Sequence, residues 1–576
     1  MKKLIAIVLS VLMVLSLGVT AFAADGDIEA VVTEVAVGDN TVYVYAPESD
    51  MIMTSTCTAP CFIVFGDEAY TAETAEAEAV DTGLAALAAR EGATVVFVNP
   101  QGDTWSDADF DVYPSLIGLY SDSSTDVFED GLAHPVNFFT GEEETKILGA
   151  YQARIYLYAE GAGADFVAAN YMKALVLTTV FGDGFAMEFD RTPTTVTLFN
   201  PTALPEAEDT ASIAVAVVNG PDDAAEKLEG LTDKTLVDTS DVTDGFDGQW
   251  IADNYGVLSG AYRSQAGVIL PMHDYAAEGI VESIESFTLA DDSTVNYAVY
   301  YDEELPVTGD ADPVPLVMAF HGGGNTALFE AQASEWPEIA QTHGFIAVCV
   351  DRHDAFSAPQ MVELLDHLKE EYAIDATRVY ASGFSMGSIR SWDMFEQFPT
   401  VFAGVAPMDG ANPPGVTDFS TELDSYNTDV LVPVFYVGGQ TSPLVEMANQ
   451  DDNEGNKIEA RIAYAFGVND VEQEYSYDAD VNEWWGVNGD VVYEITDQAA
   501  FTDSTLTVNL FKSADGNYYT ALADSSNQSH EVYARNSWAA WDFLSQFSRN
   551  EDGSVTVSPV TYTLPSDDGA VVDNNY

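Results

Sequence analysis

Basic residues are scarce in this chain. Of 576 residues only 19 are Lys or Arg, against 95 Asp or Glu, a formal charge of −76. A surface that acidic repels phosphate backbones and anionic headgroups, which excludes nucleic acid and anionic membranes as partners. Cysteine is rarer still: three residues cannot build a disulfide scaffold. Cys57 and Cys61, four apart, are a candidate bridge in an exported protein, whereas Cys349 lies in the apolar run 345–350 and reads as an inert core thiol. One long hydrophobic run stands out, from Leu4 to Leu17, preceded by Lys2 and Lys3 and followed by Ala21-Phe22-Ala23. It reads as a secretory signal peptide over residues 1–23, too short for a membrane span. No cysteine stands near that cut, and the tail around Leu564-Pro565-Ser566-Asp567 has no apolar anchor. The expectation is a secreted, soluble protein with no membrane anchor after cleavage.

Apolar side chains, by contrast, are plentiful at 47%, with 11% aromatic, so global disorder is excluded. At roughly 100–200 residues per domain the length predicts two to four domains. Strand–helix–strand alternation runs through the chain twice, predicting an α/β fold with mostly parallel sheets flanked by helices. The two passes match in order. Residues 28–35 and 41–46 parallel 280–288 and 294–301, and the strand 61–65 parallels 315–320. Residues 88–99 match 340–351 position for position, and Arg154 to Gly163 parallels Arg378 to Gly387. This reads as a duplication, with one unit over 24–265, a second over 275–576 and a boundary near 260–280.

The second unit carries a G-x-S-x-G pentapeptide, Gly383-Phe384-Ser385-Met386-Gly387. A strand precedes it (378–382), and a helix with apolar Ile389, Trp392 and Phe395 follows. A sharp strand-to-helix turn lifts the serine hydroxyl above the sheet, and the helix N-terminus behind it favours developing negative charge. Ser385 is therefore the candidate nucleophile. Upstream, Phe320-His321-Gly322-Gly323-Gly324-Asn325 follows a strand and exposes backbone N–H groups. Those of Gly323 and Gly324, with that of Met386, are candidate oxyanion donors. No G-K-[ST] follows the glycines, and the spacing does not fit a dinucleotide fingerprint. His321 reads as a structural hydrogen-bonder beneath this loop.

In this hydrolase architecture the base follows the nucleophile in the chain. Of seven histidines only His530 lies after Ser385, so it is the candidate base. It sits between a predicted hairpin (506–521, turning at Asp515-Gly516) and a helix bearing Trp538, Trp541 and Leu544. The acid is ambiguous. The turn after the strand 432–437 contains no Asp; Glu446 is the nearest carboxylate, Asp409 after the preceding strand is the alternative, and Asp451 or Asp452 ranks third.

The His321-Gly-Gly-Gly loop, the Gly383-Phe-Ser-Met-Gly elbow, and Ser529-His530 followed by Trp541-Asp542-Phe543 resemble secreted α/β-hydrolase esterases. The family joins polyhydroxyalkanoate depolymerases with feruloyl and acetylxylan esterases, and the likeness covers about residues 280–550. It implies tandem α/β-hydrolase-like domains and carboxylic-ester hydrolysis without metal or organic cofactor, on an ester substrate that is polymeric in some members. Family members usually place Asp in the turn where this chain has Ser442.

The first unit reads as a pseudo-hydrolase. Its elbow is Gly161-Ala162-Gly163-Ala164-Asp165, with Gly163 taken at the place of Ser385, and Gly66-Asp67-Glu68 replaces the glycine loop. No His follows Gly163 before the boundary. Elsewhere Asp351-Arg352-His353-Asp354 reads as a solvated loop, residues 451–455 lack calcium-loop spacing, and Trp484-Trp485 read as buried rather than as a stacking platform. Two rival functions remain: a serine peptidase on the same fold, disfavoured because no propeller-like repeat precedes the unit, and a non-catalytic glycan- or surface-binding protein.

Overall fold

The computed structural model describes residues 30–47, 60–91, 93–116, 132–133, 146–147, 154–170, 176–181, 185–190, 193–204, 214–228, 235–238, 261–263, 269–271, 273–323, 325–417, 421–442, 444, 446–449, 457–475, 482–496, 504–558, 561–563 and 571–573. The expected signal peptide, Cys57, Gly324, Asp451 and Asp452, and residues 260, 264–268 and 272 of the expected boundary lie outside them.

Among the described residues two large sheets form. The N-terminal sheet has eight strands: β1 (Ala30–Val37), β2 (Asn40–Pro47), β3 (Cys61–Phe65), β4 (Thr94–Val98), β5 (Ile155–Glu160), β6 (Thr195–Phe199), β7 (Ala214–Val218) and β8 (Thr235–Asp238). Their order is β1-β2-β4-β3-β5-β6-β7-β8. The second sheet has ten: β9 (Ile280–Thr288), β10 (Thr294–Asp302), β11 (Val314–Phe320), β12 (Ile346–Val350), β13 (Ile374–Phe384), β14 (Gly404–Met408), β15 (Val434–Gly439), β16 (Val491–Ile495), β17 (Leu506–Lys512) and β18 (Tyr518–Ser525). Its order is β9-β10-β12-β11-β13-β14-β15-β18-β17-β16. Each sheet opens with two antiparallel pairings and then runs parallel; the second turns antiparallel again at β18-β17-β16. Both are α/β-hydrolase-like, mostly parallel with flanking helices. The central strands are near-continuous apolar runs, as a sheet covered on both faces requires: every residue of Ile346–Val350 and of Cys61–Phe65 is buried.

Helices cover both faces. In the N-terminal part these are α1 (Ala72–Asp81), α2 (Leu84–Glu91) and α3 (Gly161–Asn170); around the second sheet they are α4 (Ala327–Ser334), α5 (Trp336–His343), α6 (Ala358–Glu371), α7 (Met386–Gln397), α8 (Lys457–Val468) and α9 (Ala534–Leu544). The core on one face of the second sheet includes Trp336, Trp538 and Trp541, with Trp541 stacked on Phe345 at 4.0 Å between ring centroids. Trp485 is fully buried and donates its Nε1–H to Asp524 (3.2 Å). Cys61 is a free thiol at the start of β3, pushed by burial up to about 12, so the structure assigns it no bridge; Cys349 is likewise a buried free thiol. Among the described residues no helix is long and apolar enough to cross a membrane.

Two acids on the covering helices are buried and held neutral. Burial pushes Glu330 of α4 up to about 8 and Asp542 of α9 up to about 9. Both are protonated at pH 7 in the folded chain but ionised in the unfolded one, so folding takes up protons and stability falls as pH rises. Each contributes a slope of about −1.4 kcal/mol per pH unit between its unfolded value, roughly 4, and its folded value. The Glu330→Gln/Asp542→Asn protein is expected to lose much of the decline in stability from pH 5 to pH 8 that the parent shows in urea titrations. An unchanged slope would show that these two carboxyls are not the cause.

Candidate active site

Ser385 stands between β13 and α7 with φ 53° and ψ −108°. A non-glycine residue with positive φ is strained, and here the neighbours enforce it. A Cβ on Gly387 would lie 1.9 Å from the carbonyl oxygen of Phe320, and one on Gly383 would lie 2.5 Å from that of Gly387. Only glycine lets β13, β11 and the start of α7 pass so closely. The Ser385 N–H is held by the Met408 carbonyl (2.9 Å), which leaves the side chain half-exposed above the sheet.

His530 lies in the segment between β18 and α9, its ring against Phe384 at 4.7 Å. Its Nε2 is 2.9 Å from Ser385 Oγ, and its Nδ1 contacts Glu446 Oε1. Glu446 is buried. Its Oε1 also accepts from Ser442 Oγ (2.7 Å) and its Oε2 from the Gly439 N–H (3.2 Å). The Ser442 hydroxyl thus hydrogen-bonds to a carboxylate supplied four residues later. Burial lowers the pKa of His530, so the ring is neutral at neutral pH and its Nε2 is free to accept a proton. Asp409, the alternative acid, is also buried and neighbours Glu446, but the His530 ring contacts Glu446 rather than Asp409.

The glycine loop after β11 is anchored from below. His321 is 1% exposed; its Nδ1–H donates to Gly322 O (2.7 Å) and its Nε2 accepts the Arg352 N–H (3.0 Å). His353 donates Nε2–H to His321 O (2.7 Å), while Asp351 accepts the Ala327 N–H (3.2 Å) at the start of α4. The reading of 351–354 as a solvated loop is corrected at these two residues: Asp351 and His353 are buried and brace the loop. Their partners are mostly backbone atoms more than twenty residues away, which no local pattern reveals. Gly323 lies in the turn, half-exposed, and Gly324 is outside the described residues. Met386 is the first residue of α7, where N–H groups have no acceptor within the helix. Gln528 was missed. Fully buried two residues before His530, it donates to Asp409 Oδ2 (2.8 Å) and to Glu531 O (2.8 Å), and it accepts from Asn536 (3.0 Å), which fixes the histidine segment.

Among the described residues one His–carboxylate group gathers closely enough to suit a metal ion: His273, Glu278 and Glu338, built from residues 273–278 and α5 rather than from the elements around Ser385. Against the downward push of burial, the hydrogen bond and charge of Glu338 hold His273 up at about 9, so an imidazolium already joins these carboxylates.

The strand registers align the N-terminal sheet with this site. Phe65 pairs with Ala159 as Phe320 pairs with Gly383, and Glu160 pairs with Phe199 as Phe384 pairs with Met408. Ser385 therefore corresponds to Gly161, in agreement with the match of 154–163 to 378–387, and the placement of Gly163 opposite Ser385 is corrected. Gly161 has φ 54°, and Gly163 matches Gly387, since a Cβ there would lie 2.1 Å from the Phe65 carbonyl oxygen. Ala162, at the place of Met386, gives its N–H to the Asp67 carboxylate (2.8 Å), so the would-be oxyanion donor already holds an anion. Asn200 stands where the second sheet has Asp409, with φ 53° against 55°.

No family model matches the chain. A stretch of 140 residues is 28% identical to a bifunctional acetylxylan esterase/xylanase of Neocallimastix patriciarum, covering 23% of this chain and 20% of that protein. Another of 118 residues is 33% identical to poly(3-hydroxyalkanoate) depolymerase C of Paucimonas lemoignei, covering 17% and 28%. A third of 152 residues is 26% identical to feruloyl esterase B of Thermothelomyces thermophilus, covering 23% and 51%. All three kinds of enzyme named in the resemblance thus occur among its relatives, of whose lengths the chain spans from about a fifth to about a half.

Proposed function

We propose that this protein is an exported serine carboxylic-ester hydrolase that works through an acyl-enzyme. The observation that carries the reading is the line Ser385 Oγ–His530 Nε2, His530 Nδ1–Glu446 Oε1, with the serine on a strained turn at a helix N-terminus. Ser385 Oγ attacks the ester carbonyl as His530 takes its proton, and Glu446 balances the imidazolium. The N–H groups of Met386 and of Gly323 and Gly324 hold the oxyanion. His530 then returns the proton to the departing alcohol, and a water activated by the same histidine releases the acid. No metal or organic cofactor enters this scheme. The substrate class follows the relatives' names: acetyl or feruloyl esters of plant cell-wall polysaccharide, or a polyester. The acidic surface favours neutral esters over anionic ones. Release of acetate or ferulate from arabinoxylan, assayed beside release of hydroxyacid from polyhydroxybutyrate, tests this. Turnover of neither polymer, with a simple aryl acetate still cleaved, would remove the substrate assignment and leave the chemistry.

The shared strand order and matched registers support a duplication, with residues 24–265 as a non-catalytic copy and 275–576 as the catalytic unit. Gly161→Ser restores a hydroxyl at the elbow, but a Cβ there lies 2.5 Å from Asp67 Oδ1. In a Ser385→Ala background the substitution is expected to add no hydrolysis and to lower stability by about 1–2 kcal/mol. Any gain in turnover would overturn the non-catalytic reading.

A further inference from the structure

The acid of the proposed triad does not stand alone. The Gly439 N–H donates to two carboxyl groups at once, Asp409 Oδ1 at 2.8 Å and Glu446 Oε2 at 3.2 Å, so the two acids meet at one donor. Asp409 is 2% exposed and Glu446 1%. Two carboxylates that close in a dry site cannot both be ionised, so one of them keeps a proton. The other donors show which. Glu446 is met by His530 Nδ1, the Ser442 hydroxyl and the Gly439 N–H; Asp409 is met by Gly439 and Gln528. The charge of Lys457 at the start of α8 also acts on Glu446.

We propose that Asp409 is a positioning residue, a protonated carboxyl that donates its hydrogen bond to Glu446 and so holds Glu446 as the anion facing His530. The inference rests on the Ser385–His530–Glu446 reading. Burial drives Asp409 well above the ordinary carboxylate range and the neighbouring Glu446 charge drives it further. Burial raises Glu446 too, up to about 8, while its contacts with Asp409, Ser442 and Gly439 and the charge of Lys457 work against that rise. Facing His530 are these two acids, Lys457 and Glu531. An amide fits the same backbone: Asn200 occupies the matching place in the N-terminal sheet at nearly the same φ. Asp409→Asn should therefore fold and still donate an N–H to Glu446, whereas Asp409→Ala removes the donor.

The test is kcat/KM against pH for p-nitrophenyl acetate with the full chain, beside infrared spectra at pH 7. Asp409→Asn is expected to stay within about fivefold of the parent with its acid limb in place. Asp409→Ala is expected to lose about 10–100-fold, as supporting partners of catalytic groups commonly do, with its acid limb moved to higher pH because Glu446 keeps its proton longer. The infrared difference between the parent and Asp409→Asn should show one protonated-carboxyl C=O band lost, a readout that does not require the alanine variant to fold. Loss in Asp409→Asn as deep as in Glu446→Gln would make Asp409 itself the charged partner and overturn the proposal. So would a retained carboxyl band, or an Asp409→Ala enzyme with unchanged rate and limb. Equal activity in the parent and Ser385→Ala would instead sink the triad reading beneath it.

Discussion

Replacement of Ser385 by alanine is expected to lower kcat/KM for an aryl acetate by at least about 10^4-fold, with the circular dichroism spectrum unchanged. The size follows from the role proposed for the hydroxyl: it bonds to the acyl group in that scheme, and without it only binding and the proposed oxyanion donors remain. The fold should not suffer. The strain at φ 53° is imposed by the glycine contacts around the elbow, not by the serine oxygen, and alanine takes the same backbone at similar cost. Steady-state hydrolysis with both proteins at equal concentration decides it. A residual rate above one per cent of the parent would assign the chemistry to another nucleophile.

Glu446→Gln is expected to cost nearly as much, about 10^4-fold in kcat, for a different reason. Glutamine keeps the volume and most of the packing, and its Oε1 still accepts from Ser442. It has no charge to balance the imidazolium, and its amide, free to turn an N–H toward Nδ1, favours the tautomer with the proton on the wrong nitrogen. Glu446 is buried and spends its oxygens on His530, Ser442 and Gly439, so in the proposed scheme the loss belongs in kcat and KM should hold. A rise in KM with kcat unchanged would place Glu446 in the substrate pocket instead. The result also bears on pH dependence. Burial holds His530 below its ordinary value, and the base acts only when neutral, so kcat/KM in the parent should rise with pH along a limb below about 6.5 and be flat at neutral pH.

The elbow was legible in the sequence because its glycines answer to hard steric demands. Gly383 and Gly387 are there since nothing larger passes between β11, β13 and α7, and that demand leaves a fixed spacing around Ser385. His530 was legible by order alone, being the one histidine after Ser385. The acid was not, because reaching Nδ1 needs only one carboxylate at the right point in space. Glu446 and Asp409 both end near the Gly439 N–H although they stand in different turns. The same limit hid Gln528 and His353, whose roles rest on partners far along the chain. The elbow of the N-terminal sheet was legible through the match of 154–163 to 378–387, which sets Gly161 against Ser385, whereas matching the two glycine pentapeptides end to end put Gly163 there; strand register and the φ of 54° agree with the former.

Covalent capture tests the central claim most directly. The parent, Ser385→Ala and His530→Ala proteins are treated with a fluorophosphonate at neutral pH, digested, and read by peptide mass spectrometry. One phosphonyl adduct is expected on the peptide carrying Ser385 in the parent, none in Ser385→Ala, and a strongly slowed reaction in His530→Ala. An adduct on another residue, or steady ester turnover by a parent protein that never becomes labelled, would contradict a Ser385 acyl-enzyme.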